Sequence, residues 1–139
     1  MISTAPAIAD IPLPIDQWTQ PFWSAACRCE LVMPCCADCG TWRWPPGPFC
    51  PHCLSQAIAW QLAGPARLYS FAIVHRPGPT PADSPQAIVP GLVEFPEAGG
   101  MRIAAAIIDS KIDRIAIGSA LSVRWVPKDE TNVPMFVVV

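Results

Sequence analysis

The sequence predicts a mainly β protein in which an N-terminal helix and a metal-binding ribbon precede a small five-stranded barrel. Two observations support this fold class. Four cysteines form two C-x-x-C pairs separated by ten residues, and the chain after residue 57 is a series of short β-rich segments divided by turns of glycine and proline. The length of 139 residues fits one ordinary domain, or a small domain with an appended metal module.

Prolines and cysteines divide the chain into three predicted parts. Residues 1–16 contain three prolines, so we expect a flexible arm there. Residues 17–57 are predicted to hold the helix and the ribbon, and residues 58–139 the barrel. The N-terminus has neither the basic start nor the apolar run of a secretion signal, and we therefore expect a reducing, cytoplasmic location.

The segment before the ribbon predicts a short helix over residues 17–26. Its apolar side carries Phe22 and Trp23. Pro21 is compatible with a helix only near the first turn, where the missing N–H would have no helical partner in any case. Residues 31–34 then predict a brief strand that leads into the first cysteine pair.

The two cysteine pairs predict a zinc ribbon. Zn²⁺ prefers a tetrahedron of soft thiolates, and two C-x-x-C turns separated by a short loop present two sulfurs each from opposite sides. Four thiolates complete the tetrahedron and leave no coordination position for a substrate, so the expected role of the zinc is structural. The predicted ligands are Cys36, Cys39, Cys50 and Cys53.

Two alternatives concern this site. A disulfide framework would need an oxidising compartment, which the N-terminus does not indicate. His52 lies inside the second pair and could serve as a ligand, although we expect it to be exposed beside the metal. The first pair is followed by Gly40 and the second by Leu54, so we expect the second turn to be strained or differently shaped.

The chain after the ribbon predicts five strands and one short link. Tyr69, Phe71 and Ile73 recur at period two, which is typical of a half-buried strand. Residues 58–62 and 66–76 are therefore predicted as one long, bent first strand. The remaining elements are strands at 87–95 and 101–109, a helical or irregular crossover at 110–117, and strands at 121–125 and 135–139. This order is that of an OB-fold, a five-stranded Greek-key barrel, although other small barrels can share it.

Composition indicates a protein with an apolar surface to cover. Only 14% of the residues are charged, whereas 52% are hydrophobic and six are tryptophan. No stretch approaches the roughly 18 apolar residues of a membrane helix, so we expect no membrane association and instead a partner protein on part of this surface. The net charge of −2 and the scattered basic residues argue against nucleic acid. Single-stranded nucleic-acid binding is kept as the alternative because zinc ribbons and OB-folds commonly have that function.

A series of short pieces resembles the DUF35 family, whose members join a rubredoxin-like zinc ribbon to an OB-fold. The matching pieces run from about residue 18 to the C-terminus: Pro21-Phe22-Trp23, Leu31-Val32, Cys36-Ala-Asp-Cys39-Gly40, Pro45-Pro46, Cys50-Pro51-His52-Cys53, Trp60, the run from Tyr69 to His75, Ile117-Gly118 and Pro134-Met135-Phe136. Each piece is short, but their order is specific. The chain departs from the turn glycines usual in the family at Leu54 and at Gly64-Pro65-Ala66.

The resemblance implies an accessory, non-catalytic protein that works with a thiolase-like or hydratase-like enzyme on acyl-CoA. A CoA thioester is then a possible shared ligand, and His75 and Arg76 are the candidates for contact with its phosphates, against the alternative of exposed charges at a strand end. Candidate partner contacts are aromatic side chains of the ribbon loop and the helix, namely Trp42, Trp44, Phe22 and Trp23. For the two ribbon tryptophans the alternative is that they cover the small core of the ribbon.

The sequence offers little for catalysis within this chain. No serine or cysteine lies in a recognisable nucleophile motif beside a base. The spare thiols are interpreted as buried or incidental cysteines, and the acids at strand ends as solvated caps. These residues are Cys27, Cys29 and Cys35, and Glu94, Glu97 and Asp109.

Overall fold

The computed structural model describes residues 1–8 and 11–139. A short helix is followed by a small ribbon sheet and a barrel. The elements are α1 (Gln20–Cys27), β1 (Val32–Cys36), β2 (Ile58–Leu62), β3 (Ala66–Phe71), β4 (Val74–Arg76), β5 (Gln86–Phe95), β6 (Met101–Ile107), a 3₁₀ turn (Ile112–Arg114), β7 (Ala120–Lys128) and β8 (Thr131–Val138). Across the described ranges, no helix is long and apolar enough to cross a membrane.

Helix α1 is held to the barrel by two side-chain hydrogen bonds. Pro21 lies in the first turn, as expected. The hydroxyl of Thr131 donates a hydrogen bond to the carbonyl of Trp23 at 3.0 Å, and the side-chain amide of Asn132 donates one to the carbonyl of Ala26 at 3.0 Å. Both donors stand at the start of β8, so the helix is positioned by the barrel as well as by the ribbon.

The ribbon sheet consists of β1 and β2, paired antiparallel with Pro34 opposite Trp60. Our prediction that residues 58–62 begin the first barrel strand is therefore wrong. The chain turns between the two sheets at Gly64, whose φ of +76° is a conformation that glycine adopts without steric cost. Just before this turn, the N–H of Ala63 donates to the carbonyl of Leu31 at 2.9 Å, which keeps the end of β2 on the ribbon.

The barrel confirms the OB-fold. Its strand order is β3-β7-β8-β6-β5, and β5 pairs back with β3, so the five strands close. The pairing of β6 with β8 is parallel and the other pairings are antiparallel. Strand β4 extends the path of β3 and also pairs with β5. The predicted crossover contains the 3₁₀ turn, which is only three residues long.

The barrel core is built from alternating apolar residues of all five strands. Phe95 and Phe136 are fully buried, and their ring centroids are 6.4 Å apart. At one edge of the core, Glu94 on β5 accepts a hydrogen bond at 2.7 Å from the guanidinium of Arg67, its register partner on β3. A carboxylate at this nearly buried position is stabilised because the cross-strand arginine compensates its charge.

The N-terminal segment contacts the barrel at its first residues. Ser3 is fully buried, its N–H donates to the carbonyl of Ser110 at 2.8 Å, and its hydroxyl accepts the N–H of Ser110 at 3.1 Å. The N–H of Thr4 donates to the carbonyl of Ala87 at 2.9 Å. Part of the segment that we expected to be a flexible arm is thus paired with the barrel, whereas the limits of the three predicted parts stay a prediction.

The ribbon rests on the barrel through one face of its sheet. Met33 belongs to the barrel core cluster, and Trp42 packs against the same cluster. Trp42 also covers the turn between β5 and β6: a Cβ atom at Gly99 would lie 2.8 Å from its Cδ1 atom. The ribbon and the barrel therefore share apolar contacts, and the turn is shaped to the tryptophan ring.

Candidate metal centre and aromatic groove

The four predicted ligands come together in the structure. Their sulfur atoms all lie within 4.8 Å of one another, at one end of the ribbon sheet. The Sγ atoms of Cys36 and Cys53 are 3.6 Å apart, as are those of Cys39 and Cys50. Cys36 and Cys50 are buried, while Cys39 and Cys53 are exposed. The cluster thus stands at the surface with two ligands on its inner side.

Backbone N–H groups point at the two inner sulfurs. The N–H of Cys39 donates to Cys36 Sγ at 3.5 Å, and the N–H of His52 donates to Cys50 Sγ at 3.4 Å. The backbone N–H of Cys53 is the largest influence on Cys50 and lowers the pKa of its thiol to about 6. The N–H of Cys39 likewise lowers the pKa of Cys36. Two thiols that ionise readily suit a metal centre, because the ligand is the thiolate.

The third perturbed thiol of the cluster moves in the other direction. The backbone N–H of Ser55 lowers the pKa of Cys53, but burial and the sulfurs of Cys39, Cys36 and Cys50 outweigh it and raise this pKa to about 12. Four sulfurs so close together cannot all ionise without a cation between them. A set of four thiol sulfurs within this distance fits the tetrahedral sulfur coordination that Zn²⁺ takes in structural sites.

A fifth cysteine stands next to the cluster and is kept out of it. Cys35 is buried and lies opposite Trp42 in the ribbon sheet, on the face turned to the barrel. Its thiol donates to the carbonyl of Gly40 at 3.2 Å, and burial raises its pKa. Strand alternation therefore selects Cys36 over its neighbour as a ligand.

Both cysteine turns end in the same backbone conformation. The φ angle is +79° at Gly40 and +63° at Leu54. In each turn the N–H of this residue donates to the carbonyl of the first cysteine at 3.0 Å. Of the two alternatives that we expected for the second turn, strain is the one found, because a leucine occupies the left-handed region.

We predict that Leu54→Gly stabilises the zinc-loaded protein by about 0.5–1 kcal/mol. Glycine removes the strain of a left-handed leucine, which is worth about 1–2 kcal/mol. Part of this gain is offset because glycine raises the conformational entropy of the unfolded chain. The leucine side chain is 73% exposed, so its removal leaves no cavity. Denaturant unfolding of the two proteins measures the difference, and Leu54→Ala is the control because alanine keeps the strain. Equal stability of the glycine and alanine variants would contradict the explanation.

The aromatic side chains that we predicted as partner contacts lie around one concave surface. Phe22 packs edge-on against Trp23 with ring centroids 5.0 Å apart, and it packs in a tilted arrangement against Trp44 with centroids 5.2 Å apart. Phe22 itself is only 4% exposed, so the ring is a support for the two half-buried tryptophans. Trp42 lies between the ribbon and the barrel, as described above. A partner role of the four residues stays a prediction.

This concave surface, which we call the aromatic groove, lies between α1, the ribbon loop, β6 and β8, and has a volume of 440 Å³. Three consecutive alanines of β6 form part of its floor and leave room above the strand. The lining residues in the described part of the chain include no charged side chain. They are Pro6, Ile11, Pro14, Thr19, Phe22, Trp23, Trp44, Pro45, Pro46, Ile103, Ala104, Ala105, Ala106, Val133, Pro134 and Met135.

The remaining predicted residues are spread over the surface. His75 and Arg76 are exposed on β4, opposite Ala87 and Gln86 of β5, and their contact with CoA stays a prediction. Asp109 forms a short ion pair with Arg124. The exposed thiol of Cys27 donates to the carbonyl of Glu130 at 3.1 Å. Asp109 and Glu97 are exposed, as we expected for solvated acids at strand ends. The same expectation is wrong for Glu94, which is 9% exposed because it lies at the edge of the barrel core and binds Arg67.

Sequence reasoning missed Arg43. This residue is 5% exposed, and none of its guanidinium nitrogens has a hydrogen-bond partner among the described residues. The available signal was an arginine between two tryptophans in the ribbon loop, since charged residues are almost never fully buried unless paired.

Comparison with known proteins gives matches over nearly the whole chain. Residues 23–59 match the family described as ChsH2, rubredoxin-like zinc ribbon domain, and residues 60–126 match the one described as ChsH2, C-terminal OB-fold domain. A probable enoyl-CoA hydratase alpha subunit of Thermomonospora curvata is 37% identical over 130 residues, which are 90% of this chain and 39% of the relative. The chain thus spans well under half the length of that relative.

Two solved structures share the fold. The structure named Ltp2-ChsH2(DUF35) aldolase is 33% identical, with a TM-score of 0.77 over 91% of this chain and 98% of the other. A DUF35 protein of unknown function from Sulfolobus solfataricus is 15% identical, with a TM-score of 0.62 over 86% of this chain and 84% of the other, a likeness that concerns the fold alone. The two domain matches together cover residues 23–126, and this chain therefore belongs to the DUF35 family, with a ChsH2-type rubredoxin-like zinc ribbon and a ChsH2-type OB-fold domain.

Proposed function

We propose that this chain is the non-catalytic subunit of an acyl-CoA-processing complex. It binds a thiolase-like or hydratase-like enzyme, stabilises it, and helps to hold or channel the CoA thioester. The names of two relatives support this proposal: one is called an enoyl-CoA hydratase alpha subunit, and the other an Ltp2-ChsH2(DUF35) aldolase. Seven free cysteines are in keeping with a reducing cytoplasm, where the complex would act.

We propose in addition that the four clustered cysteines hold one structural Zn²⁺. Four thiolates complete a tetrahedron, so the ion would cross-link the two cysteine turns and leave no position for substrate. The four cysteines, once joined through the ion, would hold both ends of the ribbon loop in place. That loop carries Trp44, and the metal centre would thereby keep one wall of the aromatic groove in place.

The aromatic groove is the observation that carries the proposed binding role. A concave, uncharged surface with two half-buried tryptophans is the kind of surface that soluble proteins cover with a partner or a ligand. The groove joins the helix, the ribbon and the barrel, so an enzyme bound there would contact both domains. His75 and Arg76 remain the candidates for the CoA phosphates, on the reasoning that guanidinium groups pair well with phosphate.

Charge distribution does not favour the alternative of single-stranded nucleic-acid binding. Among the described residues, several basic side chains are paired with carboxylates, in Arg28–Glu30, Arg67–Glu94 and Arg124–Asp109. Arg43 is buried, and Arg102 lies 3.6 Å from the centroid of the Tyr69 ring. A phosphate-binding groove needs clustered basic groups that are available to the strand.

Coexpression of the chain with the acyl-CoA enzyme of its host tests the proposal. We expect a stable complex, and we expect Trp23→Ala and Trp44→Ala to weaken it by about 2 kcal/mol or more, roughly thirtyfold in Kd, as is typical of aromatic anchors. Phe49→Ala is the matched control, because this ribbon-loop ring is 54% exposed and lies outside the groove lining. Isothermal titration gives the affinities, and thermal melts of the free variants separate misfolding from lost contact.

Two outcomes would count against the proposal in different ways. A wild-type chain that binds no acyl-CoA enzyme and changes the activity of none would refute the subunit function. A complex that Trp23→Ala and Trp44→Ala leave as tight as the control would refute only the groove as the binding surface.

A further inference from the structure

The buried guanidinium of Arg43 needs an electrostatic explanation. Its side chain is 5% exposed, yet its Nε and both Nη atoms lack a hydrogen-bond partner among the described residues. Moving an unpaired charge away from water is strongly unfavourable, so a buried arginine normally faces a negative group. The ion pairs found in the described part of the chain involve other arginines. The neighbouring carboxylate in the first cysteine turn, Asp38, is engaged with the hydroxyl of Ser55.

The register of the ribbon sheet gives the direction of the Arg43 side chain. Residues 41–43 of the ribbon loop run antiparallel to β1, and an isolated bridge places Trp42 opposite Cys35. The N–H of Cys36 donates to the carbonyl of Thr41 at 2.8 Å, and the N–H of Arg43 donates to that of Pro34 at 3.1 Å. In such an antiparallel pair, opposite residues point to the same face and the face alternates along each strand.

Two faces of the ribbon sheet follow from this register. Cys35 and Trp42 point to the barrel, where Trp42 packs on the core. Cys36 and Arg43 therefore share the other face, as diagonal neighbours whose Cβ atoms are about 7 Å apart by ordinary sheet spacing. An extended arginine side chain covers that distance. The Cβ atoms of Arg43 and Cys36 thus lie on the same face of the ribbon.

We infer that Arg43 is the counter-charge of the metal centre. A Zn²⁺ ion with four thiolates carries two net negative charges, part of them on the buried sulfurs of Cys36 and Cys50. A cation buried on the same face lowers the electrostatic free energy of this anionic group, and the anionic group in turn explains a buried arginine without hydrogen-bond partners. Arg43 is a positioning residue here, not a ligand. The inference rests on the proposed zinc site and adds a residue to its surroundings.

Competition for zinc between the loaded protein and a chromogenic chelator tests this inference. We expect Arg43→Met to raise the Kd for zinc about tenfold or more, the range seen when groups around metal ligands are removed. Arg43→Lys keeps a positive charge and should stay within roughly threefold of the wild type. Arg114→Met is the matched control, since this arginine is exposed on the 3₁₀ turn. Cobalt substitution checks by absorption that four sulfurs still coordinate in each variant.

The controls separate this inference from its premises. If the wild type binds zinc through the four cysteines and Arg43→Met has the same Kd as Arg114→Met, the counter-charge function is refuted while the zinc site stands. Equal losses in Arg43→Lys and Arg43→Met would also refute it, because they would indicate a packing role. If Arg43→Met fails to fold, Arg43→Gln takes its place in the comparison with lysine. A different result would assign the guanidinium to an external anion instead: inorganic phosphate would stabilise the wild type but not Arg43→Met, and the two proteins would have the same affinity for zinc.

Discussion

Replacement of Cys39 by serine should remove tightly bound zinc and unfold the ribbon. Structural zinc contributes on the order of 10 kcal/mol to the folding of small metal modules, which is comparable to the typical stability of a whole domain. Serine cannot supply the thiolate, and the other three sulfurs, which lie within 4.8 Å of it, would then keep an incomplete tetrahedron. Elemental analysis of the purified variant measures the metal, and circular dichroism with limited proteolysis measures the ribbon.

The controls for this replacement are two cysteines outside the cluster. Cys27→Ser keeps a hydroxyl that can donate to the carbonyl of Glu130, so we expect full zinc content. Cys35→Ser tests the choice between adjacent cysteines, because its side chain is on the face turned to the barrel. Tightly bound zinc in Cys39→Ser at the wild-type ratio, or its loss in Cys35→Ser alone, would refute the assignment of the ligands.

Gly99→Ala should destabilise the contact between the ribbon and the barrel by about 3 kcal/mol. One part of this loss is conformational, since φ is +64° and a non-glycine residue there costs about 1–2 kcal/mol. The other part is steric: a Cβ atom would lie 2.8 Å from Cδ1 and 3.0 Å from Cβ of Trp42, and overpacking of this kind costs about 1–3 kcal/mol. Denaturant unfolding measures the sum.

A matched glycine separates the two parts. Gly118 has a φ of +88°, but a Cβ atom there would have no neighbour within 4 Å, so Gly118→Ala should lose only the conformational part of about 1–2 kcal/mol. In a Trp42→Leu background, the loss of stability caused by Gly99→Ala should be smaller, because its steric part is removed. The loss caused by Gly118→Ala should be the same in both backgrounds. Equal losses at the two glycines would show that Trp42 does not press on the turn, and that the ribbon is held to the barrel by other contacts.

The amino-acid sequence by itself determined the chemistry of the metal centre and the class of the fold. Two C-x-x-C pairs at this spacing have few uses other than a tetrahedral thiolate site, because the short turns limit where the sulfurs can be. The strands of the barrel were predictable because apolar alternation is a local property of each segment. The resemblance to the DUF35 family could also be recognised from short sequence motifs, and the domain matches over residues 23–126 support it.

Only the tertiary structure decided which strands pair and what each side chain faces. Residues 58–62 have the pattern of a barrel strand but pair with β1, since pairing depends on contacts distant in sequence and on the turn at Gly64. In the sequence, Phe22 and Trp42 cannot be distinguished from exposed aromatic anchors. In the structure, Phe22 supports the aromatic groove and Trp42 packs on the barrel. The burial of Arg43 was likewise decided by the tertiary structure, because a local pattern gives the alternation of a strand and not the elements that cover it.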